Sequence, residues 1–100
     1  MVKHIVMWKL KNKADGAYKE ENAIRMKKLL ESLGSKINEI RHIEVGINYS
    51  AQTDAFDVVL YSEFANRNDL DTYMVHPAHK QAAQFVKKIR LERKVVDYEA

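Results

Sequence analysis

Polar and apolar residues alternate at the start of the chain. Val2, His4, Val6, Trp8 and Leu10 fall on one side of an extended segment, and Lys3, Ile5, Met7, Lys9 and Lys11 on the other. A period of two predicts a β-strand with apolar groups on both faces. The period then lengthens. Ala23, Met26, Leu30 and Leu33 recur at spacings of three and four, which predicts a helix from an Asp15 cap to about Leu33, stopped by Gly34. Alternation returns over residues 40–49, where Ile43, Val45 and Ile47 oppose His42, Glu44, Gly46 and Asn48. Residues 50–55 read as a polar turn. Residues 56–64 read as a third strand, with Phe56, Val58, Leu60 and Phe64 on one face and Asp57, Val59, Tyr61 and Glu63 on the other. Asn66 is placed to cap a short helix carrying Leu70, Tyr73 and Met74. His76-Pro77 interrupts it, because the residue before proline disfavours helical backbone. Pro77 then fits the first turn of another helix, whose inner face holds Ala82, Phe85, Val86 and Ile89. Residues 94–99 complete the pattern as a strand, with Val95 and Asp97 opposite Val96 and Tyr98.

The order βαββαβ predicts an α+β, ferredoxin-like fold: a four-stranded antiparallel sheet with helices on one face. Reading the faces along each strand assigns Ile5, Met7, Ile43, Val45, Ile47, Phe56, Val58, Leu60, Phe64, Val96 and Tyr98 to the face without helices. An apolar surface of that size calls for cover. A two-fold homodimer packed sheet against sheet supplies it, and a charge at Val58 or Leu60 is expected to break that dimer.

Composition narrows the classes. A length of 100 residues fits a single domain over 1–100, and 46% hydrophobic with 31% charged residues excludes collagen-like and disordered chains. Apolar runs of four residues or fewer predict no membrane-spanning helix, and the opening Met-Val-Lys-His-Ile has no secretory pattern. With no cysteine there is neither a disulfide framework nor a thiol nucleophile, and a cytoplasmic location is expected. The net charge is only +3. The densest basic stretch, Lys87, Lys88, Arg90, Arg93 and Lys94, contains no aromatic residue for base stacking. It reads as a solvated helix end, and no nucleic-acid partner is expected.

Candidate chemistry sits among the strands. His4, Asp57, Val59, Tyr61 and Asp97 share the strand faces predicted to look toward the helices. Ionisable groups there cost several kcal/mol each unless they pair, which points to a pocket. Its apolar walls are expected to be Val6, Trp8, Val59 and Phe85, with His4 and Asp57 among the groups that contact a small-molecule ligand. No cofactor is implied, because no phosphate loop, dinucleotide fingerprint or Ser-His-Asp spacing occurs. A metal site is not expected either. His76 and His79 are three apart, but proline lies between them and no third ligand is near in sequence. A harder ion such as magnesium held by Asp57, Asp97 and His79 is the one alternative.

Three segments carry a family resemblance. Val2-Lys3-His4-Ile5-Val6, Tyr73-Met74-Val75-His76-Pro77-Ala78-His79 and Val96-Asp97-Tyr98 resemble the stress-responsive A/B barrel domain family, in order, over about residues 2–98. The resemblance implies a dimeric α+β barrel. The family includes plant polyketide cyclases, which close a ring with a tyrosine and a histidine. By that resemblance Tyr73 and His79 are the catalytic pair and Asp97 is the carboxylate that orients His79. His4 resembles a pocket histidine on the first strand. The sequence departs from the cyclases at Asp57, where they have histidine.

In the mechanism so implied, Asp97 accepts a proton from one ring nitrogen of His79. The other nitrogen acts as a general base, and the Tyr73 hydroxyl supports a developing oxyanion on a carbonyl substrate. Two other readings stand beside it. One is a noncatalytic stress-associated dimer in which Tyr73, His4 and Asp97 only fix packing. The other is an enzyme resembling the cofactor-free monooxygenases of the wider superfamily.

Overall fold

The computed structural model describes residues 1–100. Strand β1 (Val2–Leu10) runs into a small hairpin, β2 (Lys13–Ala14) and β3 (Ala17–Tyr18), before helix α1 (Lys19–Glu31) and a 3₁₀ turn (Ser32–Ser35). Strands β4 (Ile40–Ile47) and β5 (Val58–Phe64) follow. Helices α2 (Arg67–Val75) and α3 (Pro77–Ile89) then lead to β6 (Arg90–Glu99). The main sheet has the order β4-β5-β1-β6 and every neighbouring pair is antiparallel. This is the expected ferredoxin-like α+β arrangement.

Local chemistry explains most element ends. The Asn66 side chain caps α2 by accepting from the Asp69 amide at 2.8 Å. His76 separates α2 from α3 in extended backbone, and its Nδ1 accepts from the Ala78 amide at 3.0 Å, with Pro77 opening α3. Asp15, expected to cap α1, instead forms a tight hairpin turn with Gly16, both residues at positive φ (51° and 77°). A two-residue Asp-Gly connection needs that backbone, so the helix starts four residues later at Lys19. Arg25 on α1 holds the Asp15 carboxylate at 2.9 Å. The buried Asn22 amide donates to Ala14 O at 2.9 Å and Ala17 O at 3.3 Å, which ties the hairpin to the helix. Gly34 lies inside the 3₁₀ turn rather than at a helix stop, and an added Cβ would meet Ile43 at 3.0 Å.

The strand register decides the faces, because directly paired residues share one. His4 pairs with Ser62 and Asp97, Val6 with Leu60 and Val95, and Trp8 with Val58 and Arg93. On β4, Val45 pairs with Leu60 and Ile43 with Ser62. These rows point toward the helices. There Val6, Val45, Val58, Leu60 and Phe64 join Met26, Leu30, Val86 and Ile89 in the core. The expected face of β4 and β5 is therefore reversed. Val58, Leu60 and Phe64, assigned to the dimer face, are each 2% exposed or less and lie beneath the helices. Ile43, Val45 and Ile47 point the same way, so a charge at Val58 or Leu60 strikes the core and not a dimer contact. A shift of one residue reverses a whole strand, and β5 offers apolar groups on both sides.

The opposite face carries Lys3, Ile5, Met7 and Lys9 of β1, Val59, Tyr61 and Glu63 of β5, and Lys94, Val96 and Tyr98 of β6. Met7, Val59, Val96 and Tyr98 are exposed there. No helix is long and apolar enough to cross a membrane.

Candidate functional site

A cavity of about 570 Å³ opens between the sheet and helices α2 and α3. Its floor is the helix-facing side of the sheet: His4, Val6 and Trp8 of β1, Leu60 of β5 and Arg93 of β6. Tyr73 and Met74 of α2 and one face of α3 form the opposite wall. The proline break lets two helix ends meet here. The rings of Tyr73 and His79 lie 4.4 Å apart between centroids, and Tyr73 lies 6.1 Å from His4. The buried ring of Phe64 backs both, 5.1 Å from Tyr73 and 6.5 Å from His4.

Hydrogen bonds assign the imidazole tautomers. His79 Nδ1 lies 3.1 Å from the Met74 carbonyl oxygen, which can only accept. The hydrogen is therefore on Nδ1, and Nε2 of the neutral ring keeps a lone pair. Burial holds the His79 pKa below the usual imidazole value, against the opposing Met74 hydrogen bond and reinforced by His4, Arg93 and His76. His79 is thus neutral at neutral pH. His4 Nδ1 donates to Asp97 Oδ1 at 2.5 Å, leaving its Nε2 unengaged. The Tyr73 hydroxyl is pushed up to about 12 by burial, with Arg93 working in the other direction, so it stays a proton donor. The site therefore combines a neutral base and an un-ionised phenol in van der Waals reach of each other.

The predicted residues separate into two groups. His4, Val6, Trp8, Tyr73 and His79 come together around the cavity. Asp97 does not orient His79: it binds His4, its strand partner, and the Met74 carbonyl takes the orienting position. Val59 lies on the opposite side of the sheet, 36% exposed. Phe85 leaves the cavity wall and packs under the Arg25 guanidinium, 4.6 Å from its ring centroid. Asp57 stands at the far end of β5, where it accepts from the Leu10 amide at 2.8 Å and faces Lys19 at 3.7 Å. Tyr61, also expected beneath the helices, bonds Glu63 on the other face at 2.5 Å. Asp57, Asp97 and His79 consequently do not converge as a magnesium site. No three His, Asp or Glu side chains cluster in the manner of metal ligands.

Residues 2–100 match the family described as the stress responsive A/B barrel domain. The chain belongs to that family. An uncharacterized member-sized protein of Streptomyces coelicolor is 30% identical over 81 residues, 80% of each chain. A dimeric protein of unknown function and ferredoxin-like fold from Bacteroides fragilis is 39% identical, with a TM-score of 0.83 over 99% of this chain and 95% of that one. Hydroxynitrile lyase from Passiflora edulis superposes with a TM-score of 0.82 over 97% of this chain and 90% of its own, at 17% identity, a likeness of fold alone.

For this A/B barrel protein, sequence reasoning missed the basic side of the cavity. Lys80, Ala83, Gln84 and Lys87 lie along one side of α3, and Arg90 and Arg93 continue the lining into β6. Their spacings of three, one and three were a readable sign of a shared helix face. The segment Lys87–Lys94 is thus a cavity edge and not only a solvated helix end.

Proposed function

We propose that the cavity is a small-molecule site and that His79 and Tyr73 perform acid–base chemistry on a carbonyl-bearing substrate. The observation that carries this reading is the His79 ring, neutral, with Nδ1 held by Met74 and Nε2 unengaged, lying at a tilt against the ring of Tyr73, whose hydroxyl is unpaired. Nε2 takes a proton from carbon or hydroxyl adjacent to the carbonyl. The Tyr73 O–H donates to the oxygen on which charge grows. His4, fixed by Asp97, presents its second nitrogen to the same space and orients the substrate. Asp97 is a positioning residue for His4.

The protein acts as a homodimer packed through its outer sheet face. Exposed Met7, Val59, Val96 and Tyr98 form the apolar patch that supports this reading, and the Bacteroides fragilis relative is dimeric. This patch replaces the interface built on Val58 and Leu60.

The test is a panel of carbonyl-bearing aromatic and polyketide-like compounds, with α-hydroxynitriles included, against the native protein and the His79→Ala and Tyr73→Phe variants. Loss of ligand binding or turnover with circular dichroism and sedimentation unchanged supports the acid–base site. Variants that differ only in melting temperature would favour the noncatalytic dimer.

A further inference from the structure

We propose that the ligand of this cavity is an anion, a compact apolar molecule carrying one carboxylate that Arg90 and Arg93 receive at the β6 end. The proposal rests on the cavity being a small-molecule site. The cavity lining contains Lys80, Lys87, Arg90 and Arg93 and no aspartate or glutamate. Over the whole chain the ratio of basic to acidic residues is 17 to 14, so four to none is a local concentration.

These four cations are also unpaired. Lys3, Lys19, Arg25, Lys27 and Arg67 each have a carboxylate within 4.0 Å, and none of the cavity cations does. Uncompensated charge at the edge of an apolar cavity focuses the field into it and draws an anion. The Arg93 charge reaches the site itself, acting on both Tyr73 and His79. A second donor is in place: the Trp8 indole N–H, in the same lining, is the one buried side-chain polar atom without a partner.

Two features favour carboxylate over phosphate. Val6, Leu30, Leu60 and Val86 make the interior apolar, with room for a hydrocarbon body but few donors for a polyanion. The arginine end adjoins the C-terminus of α3, which closes at Ile89. That end lacks the free backbone N–H groups of a helix N-terminus, from which phosphate sites are typically made, and leaves the side-chain forks as the donors. Arginine's planar fork matches a carboxylate well.

The experiment titrates the native protein by calorimetry with acetate, phenylacetate and 3-phenylpropionate, each beside its neutral amide, and with inorganic phosphate. It is repeated on Arg90→Gln/Arg93→Gln at low and high salt, while His79 ring signals are followed by NMR. An acid preferred over its amide by about tenfold, with that ratio falling toward one in the double variant and in high salt, is the expected result. Equal affinity of acid and amide in the native protein would overturn the anion assignment and leave the cavity reading standing. Phosphate bound in preference to every acid would overturn the carboxylate assignment. Failure of all acids and amides to bind or to move the His79 signals would overturn the cavity reading and the proposal with it.

Discussion

The two faces of the same sheet differ less in composition than in what covers them. On β5, Val58, Leu60, Ser62 and Phe64 are buried beneath the helices, while Val59, Tyr61 and Glu63 look outward. Both sets contain large apolar groups. The covered face is nevertheless apolar except at His4 and Ser62. Apart from the Trp8 indole N–H, its buried polar groups are satisfied: Ser62 donates to His4 O at 3.0 Å, and His4 to Asp97. The outer face mixes Met7, Val59, Val96 and Tyr98 with the Lys3–Glu63–Tyr61 cluster, where the Lys3 bond holds the Glu63 carboxyl below the usual range. Polar groups in a core are mostly paired, whereas an open sheet face carries charge freely beside its apolar groups.

Substitution separates the faces most sharply at Leu60. Truncation by Leu60→Ala is expected to cost about 2–5 kcal/mol. Leu60→Asp places a carboxylate at a site 2% exposed and is expected to abolish the cooperative thermal transition. The matching charge on the outer face, Val96→Asp, should spare the transition and convert the protein to monomer in sedimentation. A dimer that persists in Val96→Asp would move the interface elsewhere. Next in size is Asp97→Asn, which weakens the charge-assisted bond to His4. With Asp97 about half exposed, a loss of about 1 kcal/mol in urea unfolding is expected, with the His4 ring signals shifted.

The smallest effect is a pH dependence. Burial lowers the His79 pKa in the folded state, so the unfolded chain binds its proton first as pH falls. The contribution of neutral His79 to stability is complete above the unfolded value of about 6.5 and is lost as pH falls toward the folded value. Urea unfolding at pH 5 and pH 7.5 should therefore show a larger loss on the acid side for the native protein than for His79→Gln. For any reaction that uses His79 as its base, the same sign places the acid limb below the usual histidine range.

How far the chain could be read follows from the same contrast. Period and punctuation revealed the βαββαβ order, the Asn66 cap and the Pro77 break, because each depends on neighbours in sequence. Faces were legible on β1 and β6, where His4 and Asp97 interrupt apolar rows. They were misread on β4 and β5, where apolar residues occupy both sides and Asp57 drew its own face inward; only the pairing of Val6 with Leu60 resolves the choice. The Asp15-Gly16 hairpin was legible as an Asp-Gly turn and was passed over for a helix cap. Tyr73, His79 and His4 were legible as candidates and line one cavity, but the hydrogen-bond partner of His79 was not legible. Met74 O is a backbone atom, and no side-chain pattern reports it.

The acid–base role of this cavity is tested most directly by the state of the His79 ring, followed through a pH titration by long-range proton–nitrogen NMR. A neutral ring at pH 7 with its hydrogen on Nδ1, titrating below the ordinary histidine value, is the expected result. A ring protonated at pH 7, or one carrying its hydrogen on Nε2, would contradict the base assigned here.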